Sequence, residues 1–194
     1  MLKKSLVLLS ASLLLSGVSM PSFAQDMEAA RQAIEDALPG TLLHNPLAIK
    51  WDSRGNDKKI KVVDAETSTG QALSARVKKR KQKPWDIVVW FDLDDGIKAG
   101  DQIEMHYWAR TKKAPKGKET AEFTVFVGRN EEPYDNVINE QITPDGEWKM
   151  LTIKRTAKND IPTGQLKVEY QIGAHAQTIE FGPVYVSNLG PVAP

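Results

Sequence analysis

Period-two alternation of apolar and polar residues, broken at short intervals by turn chemistry, governs this chain from residue 47 onward and leaves no room there for long helices. Alternating or apolar runs occupy Leu47 to Trp51, Ile60 to Asp64, Ala72 to Lys78, Trp85 to Leu93, Gln102 to Arg110, Ala121 to Gly128, Trp148 to Arg155, Gln165 to Ile172 and Gln177 to Ser187. Between them stand Ser53-Arg54-Gly55-Asn56, Ser68-Thr69-Gly70, Asp94-Asp95-Gly96, Lys98-Ala99-Gly100-Asp101, Pro144-Asp145-Gly146 and Pro162-Thr163-Gly164. These residue types admit positive φ, preset a turn or bond their own backbone. Eight or nine strands at this spacing predict an all-β fold, a two-sheet antiparallel sandwich. One short N-terminal helix is predicted ahead of it, from Asp26 to Leu38, where Met27, Ala30, Ile34 and Leu38 recur at three and four before Pro39-Gly40 stops it.

The first 24 residues read as a cleaved signal peptide: Lys3 and Lys4, an apolar stretch from Leu6 to Val18, and Ser22-Phe23-Ala24 as a small-x-small cleavage site. The division predicted is a leader at 1–24, the helix at 25–40, the sandwich at 41–190 and a tail at 191–194. An exported protein, periplasmic or secreted, is expected, and no later segment is long and apolar enough to span a membrane. The chain has no cysteine, so its core must hold it without disulfides. Without Lys3 and Lys4, 24 basic residues face 25 acidic ones, and net charge points to no partner; nucleic acid is not expected. The distribution is less even. Arg76, Lys78, Lys79, Arg80, Lys81 and Lys83 lie close together, a strip suited either to an acidic glycan or to keeping an edge strand soluble.

The strand faces supply the candidate site. Trp85, Ile87, Val89 and Phe91 share one face, which puts Trp90 on the other, with Asp86 and Asp92. Ile103, Met105, Tyr107 and Ala109 form a second apolar row, which puts Trp108 with Glu104, His106 and Arg110. In Gln165 to Ile172 the polar row is Lys167, Glu169 and Gln171; in Ala121 to Gly128 it is Glu122, Thr124 and Phe126. A face that mixes flat aromatic surface with planar amide, carboxylate and guanidinium groups suits an amphipathic ligand such as a sugar. If these strands are neighbours, Trp90, Trp108, Arg110, Gln171, Glu104, Glu169 and Asp86 form one ligand-binding surface. Trp85, on the apolar row after a proline, reads as scaffold, and Trp148 as core packing.

The order of several motifs is similar to that of a known family. Asn45-Pro46, Lys61-Val62-Val63-Asp64-Ala65, Lys83-Pro84-Trp85-Asp86, Ile97-Lys98-Ala99-Gly100-Asp101, Tyr107-Trp108-Ala109-Arg110, Pro133-Tyr134, Gly146-Glu147-Trp148-Lys149 and Gln177-Thr178-Ile179-Glu180-Phe181-Gly182 resemble the CenC-like carbohydrate-binding modules of families 4, 9 and 22, over roughly residues 42–190. The resemblance implies a galactose-binding-like jelly roll that binds a poly- or oligosaccharide in a cleft on its concave face. Two departures stand out. Gly182-Pro183-Val184 supplies no aspartate where that family often ligates a structural calcium, so no cofactor is expected. Val88 stands where many such modules carry a polar residue.

Catalysis is not expected. His44, His106 and His175 lack zinc-site spacing, Gly-x-Ser-x-Gly is absent, and no strand carries Glu-x-Asp-x-x-Glu. The alternatives are an adhesion or assembly protein that binds a protein partner through the sandwich face, and a hydrolase or lyase using facing carboxylates such as Glu104 and Glu169.

Overall fold

The alternating runs pair into two antiparallel sheets in the computed structural model, which describes residues 23–191. One sheet has the order β3 (Lys58–Asp64), β4 (Gln71–Val77), β11 (Thr178–Pro191), β6 (Asp101–Lys113), β9 (Lys149–Thr156), with the short β1 (Thr41–Leu42) also on β11. The other has the order β2 (Asp52–Arg54), β5 (Val88–Asp92), β10 (Leu166–Gln171), β7 (Phe123–Arg129), β8 (Asn136–Ile142). A helix, α1 (Phe23–Ala37), precedes them. Its start takes in Phe23 and Ala24 of the predicted leader, and residues 1–22 of that leader lie outside the described residues, as does the tail beyond Pro191.

The core forms where the apolar rows of the two sheets meet. Ile87, Val89 and Phe91 of one sheet and Ile103, Met105, Tyr107 and Ala109 of the other are buried there, as their alternation requires. Aromatic rings tie the layers together: Tyr170 of β10 stacks on Phe181 of β11 at 4.2 Å, and Phe123 of β7 meets both edge-on at 5.4 and 5.0 Å. Such contacts add about 0.5–1.5 kcal/mol each beyond the area they bury. Trp51, ahead of β2, leans edge-on against Phe91 at 5.0 Å.

Three departures from the predicted elements matter for function. The run from Trp85 does not enter the sheet at once. Pro84–Asp86 form a 3₁₀ turn, the Asp86 carboxylate accepts the Lys83 backbone N–H at 3.0 Å, and the strand starts only at Val88. The run at Leu47 to Trp51 forms no strand, opening in a turn and bend and continuing as irregular chain, and pairing begins at Asp52 instead. An edge strand, β8, appears where none was predicted; a register irregularity at Val127/Gly128 leaves adjacent Val137 and Ile138 both buried, which erases the alternation.

Candidate functional site

Antiparallel register lays three transverse rows across the outer face of the five-stranded sheet. The central row is Asp52, Trp90, Glu169, Phe126 and Asn139. On one side of it run Arg54, Val88, Gln171, Thr124 and Gln141, and on the other Asp92, Lys167, Gly128 and Asn136. Residues two apart on a strand share a face, so the rows join into one surface. Trp85 stands at the corner where β5 begins and Tyr134 at the diagonally opposite corner, just before β8. Together they line a groove of about 570 Å³ whose other walls include Arg54, Phe126, Asn136, Asn139, Lys167, Glu169 and Gln171. Four strands at about 4.8 Å spacing and rows spread over four residues set its diagonal at roughly 20 Å, room for several sugar rings.

Both corner rings are exposed to an extent unusual for their type, Trp85 at 47% and Tyr134 at 54%. Trp85 is held out by the backbone beneath it. The Gly173 N–H donates to the Pro84 carbonyl at 2.8 Å, and a Cβ at Gly173 would come within 2.8 Å of the same oxygen, so only glycine lets the turn sit this close. Lys83 Nζ lies 5.4 Å from the Trp85 ring centroid and steadies it. Tyr134 has φ of 56°, uncommon for a bulky residue, and its N–H donates to the Glu131 carbonyl at 2.8 Å. Strained backbone of this kind clusters at ligand contacts.

The polar groups of the groove divide into a fixed centre and a free rim. Glu169, 4% exposed, accepts from Lys167 Nζ at 2.5 Å and from Gln171 Nε2 at 3.0 Å, which balances its charge and fixes both amide and carboxylate. The Lys167 ammonium also lies 5.9 Å from the Trp90 ring and 6.0 Å from that of Phe126. At the rim, the side chains of Arg54, Asn136 and Asn139 are exposed, and none makes a hydrogen bond among the described residues. Amides and a guanidinium in this state offer paired donors and acceptors to adjacent hydroxyls.

The predicted site residues do not form one surface. Trp90, Glu169 and Gln171 are brought together on the five-stranded sheet, with Trp90 half-buried beside the groove rather than lining it. Asp86 spends its carboxylate on the turn before β5. Trp108, Arg110 and Glu104 stand on the opposite sheet, because β6 pairs with β11 and β9 and never with β10. There Arg110 donates to Glu180 at 2.8 Å and lies 4.7 Å from the Trp148 ring centroid. Glu104 is met by Lys154 at 3.1 Å and His106 at 3.4 Å. Trp108 packs edge-on against Tyr185 at 6.1 Å, over Gly182, where a Cβ would approach the Trp108 Cβ to 2.9 Å. Trp148 therefore belongs to this outer face and not to the core. Glu104 and Glu169 project from opposite sides of the sandwich and cannot flank one glycosidic bond. Trp85, read from sequence as scaffold, lines the groove, as do Tyr134, Asn136 and Asn139, which the strand pattern did not single out; only the Pro133-Tyr134 motif pointed there.

Among the described residues no group of three or more histidine, aspartate or glutamate side chains is placed to hold a metal ion, and no helix is long and apolar enough to cross a membrane.

Residues 46–178 match the model of a family described as "Carbohydrate binding domain". Comparison with curated proteins by sequence finds no match. Solved structures are similar in fold. The second N-terminal cellulose-binding domain of Cellulomonas fimi β-1,4-glucanase C superposes with a TM-score of 0.56 at 17% identity, over 78% of this chain and 92% of that one. The CBM22-1 xylan-binding domain of Paenibacillus barcinonensis Xyn10C gives 0.54 at 15%, over 79% and 98%. The CBM22-1-GH10 portion of Clostridium thermocellum xylanase 10B, complexed with xylohexaose, gives 0.54 at 12%, over 81% of this chain but only 30% of that one.

Proposed function

Because the chain belongs to the carbohydrate-binding domain family, we propose that the groove of the five-stranded sheet binds a neutral poly- or oligosaccharide, without cleaving it. The observation that carries this reading is the pair of exposed rings, Trp85 and Tyr134, at opposite corners of one groove whose rim amides are unused. Sugar rings present C–H faces to aromatic surfaces and hydroxyl edges to planar polar groups. Stacking on Trp85 and Tyr134 supplies affinity, and Arg54, Asn136, Asn139 and Gln171 set orientation. The centre suits a neutral ligand, since Glu169 is already balanced by Lys167 and an added carboxylate would meet its charge.

The xylan- and cellulose-binding domains among the structural neighbours make β-1,4-linked glycans the first to try. The reading also places the protein outside the cytoplasm, where a cleaved leader over residues 1–24 would deliver it and where such polymers occur. Affinity electrophoresis through gels carrying xylan, hydroxyethylcellulose or other neutral polysaccharides tests it. Retardation by at least one polymer is expected, and Trp85→Ala/Tyr134→Ala should abolish it while leaving thermal unfolding unchanged. No retardation by any neutral glycan, or retardation that survives the double substitution, contradicts it.

A further inference from the structure

The far end of the six-stranded sheet carries a charge arrangement that the groove does not use. Register places Lys59 of β3 opposite Arg76 of β4, Arg76 opposite Thr178 of β11, and Thr178 opposite Lys113 of β6. All three cations are exposed, and at about 4.8 Å per strand they span about 14 Å. Like charges directly opposite each other destabilise a sheet. None is relieved internally: Lys59, Lys61, Arg76, Lys78, Lys112 and Lys113 form no ion pair among the described residues. Two nearby acids are already engaged: Asp57 is held by Lys81 at 2.8 Å, and Glu180, one row along the same face, by Arg110 at 2.7 Å. The Asp57 carboxyl lies below the usual aspartate range, first through the Lys81 hydrogen bond, against some desolvation, and further through the charges of Lys81, Lys79 and Lys78.

Protection of an exposed edge accounts for only part of this. Lysines on β3 guard the sheet margin against pairing with another chain. Arg76 guards no edge, since β4 is paired there on both sides, to Lys59 of β3 and Thr178 of β11; Lys113 pairs only with Thr178, because β9 leaves β6 at Ala109. Moreover, Arg76, Lys78 and Lys113 converge on one notch of about 90 Å³, floored by Gln177 and Thr178, a space suited to a single carboxylate or sulfate.

We propose that this end of the six-stranded sheet is a second binding site, for the anionic groups of an acidic polysaccharide: one group seats in the notch and its neighbours along the polymer meet Lys59, Lys61 and Lys112. A polymer with a charge on successive sugars matches a row of cations at strand spacing better than an isolated anion does, and the field of the row attracts it over a Debye length. The choice of a glycan over another polyanion rests on the reading of the groove; the site itself does not.

The test uses the full chain and sodium polygalacturonate, with its methyl ester as the same polymer without charge. Retention of polygalacturonate at low salt is expected, falling at least tenfold with Arg76→Gln/Lys78→Gln/Lys113→Gln, with about 0.5 M salt and with esterification. The triple variant should bind neutral glycan as before and be no less stable, because repulsion is removed. Trp85→Ala should do the reverse, so the two sites fail separately. No retention of polygalacturonate, or retention indifferent to the triple substitution, overturns the second site whatever the groove does. Tighter binding to phosphatidylglycerol vesicles than to polygalacturonate also overturns it, assigning the cations to a lipid surface.

Discussion

The outer faces of the two sheets carry similar side chains and use them in opposite ways. On the six-stranded sheet, Arg110 is satisfied by Glu180 and Trp148, Glu104 by Lys154 and His106, and Trp108 by Tyr185 and the close approach of Gly182. On the five-stranded sheet the same chemical types stop short of satisfying one another: two rings stand exposed, and the rim of amides and guanidinium has no partner among the described residues. A mixed aromatic and polar face is thus not a site by composition. It becomes one where hydrogen-bonding capacity and ring area are left over after the fold has used what it needs.

The largest expected effect should not distinguish the faces at all. His44 is buried beside Phe91, and desolvation lowers its pKa from 6.5 to about 4, against a weaker opposing contribution from the Asn45 backbone; neither ring nitrogen has a partner of full hydrogen-bond geometry. The fold therefore favours the neutral ring. Stability should be intact above about pH 6.5, fall as pH drops from there towards 4 while the unfolded chain takes up the proton, and level off below. The loss from this group is on the order of 3 kcal/mol. Urea unfolding at a series of pH values checks it, and His44→Phe should flatten that part of the profile. Because the ring sits on the shared core, loss of glycan binding in acid should follow unfolding rather than precede it.

Next comes Arg110→Met, which leaves the buried Glu180 carboxylate unpaired and should cost about 2 kcal/mol of stability by chemical denaturation, with glycan affinity unchanged. A loss of affinity without loss of stability would break the contrast between the faces. Trp85→Ala should show the reverse, about tenfold weaker glycan binding by titration calorimetry, ~1.4 kcal/mol, with unchanged unfolding. Tyr134→Ala should act in the same direction, roughly threefold. Trp108→Ala should lower stability by about 1 kcal/mol through lost packing and leave binding alone.

Much of the fold was legible because period-two alternation states which side of a strand faces the core. Trp90 and Trp108 both point outward, as their neighbours predict, and Tyr107, Tyr170 and Phe123 point inward. Alternation does not say which sheet a strand joins. Trp108 and Gln171 each have the right direction, yet β6 and β10 lie in different layers, so two outward faces were read as one. The groove's corners were hidden for another reason. Trp85 continues the apolar parity of its strand in sequence, but Pro84 and the Asp86 cap turn the chain before the strand begins, and parity lost there returns only at Ile87. Tyr134 precedes, and the amides Asn136 and Asn139 lie on, an irregular edge strand with no alternation to read.

The central claim is that ligand meets the five-stranded face and not the other. The five tryptophans report on it directly, since Trp85 lines the groove, Trp90 lies beside it, Trp51 supports the core, and Trp108 and Trp148 stand on the opposite sheet. Adding a retained neutral oligosaccharide to uniformly labelled protein and following the five indole N–H resonances by NMR should shift Trp85 most, Trp90 less, and leave Trp108 and Trp148 in place. Movement of Trp108 and Trp148 with Trp85 unmoved would put the site on the wrong face of the sandwich and contradict the account.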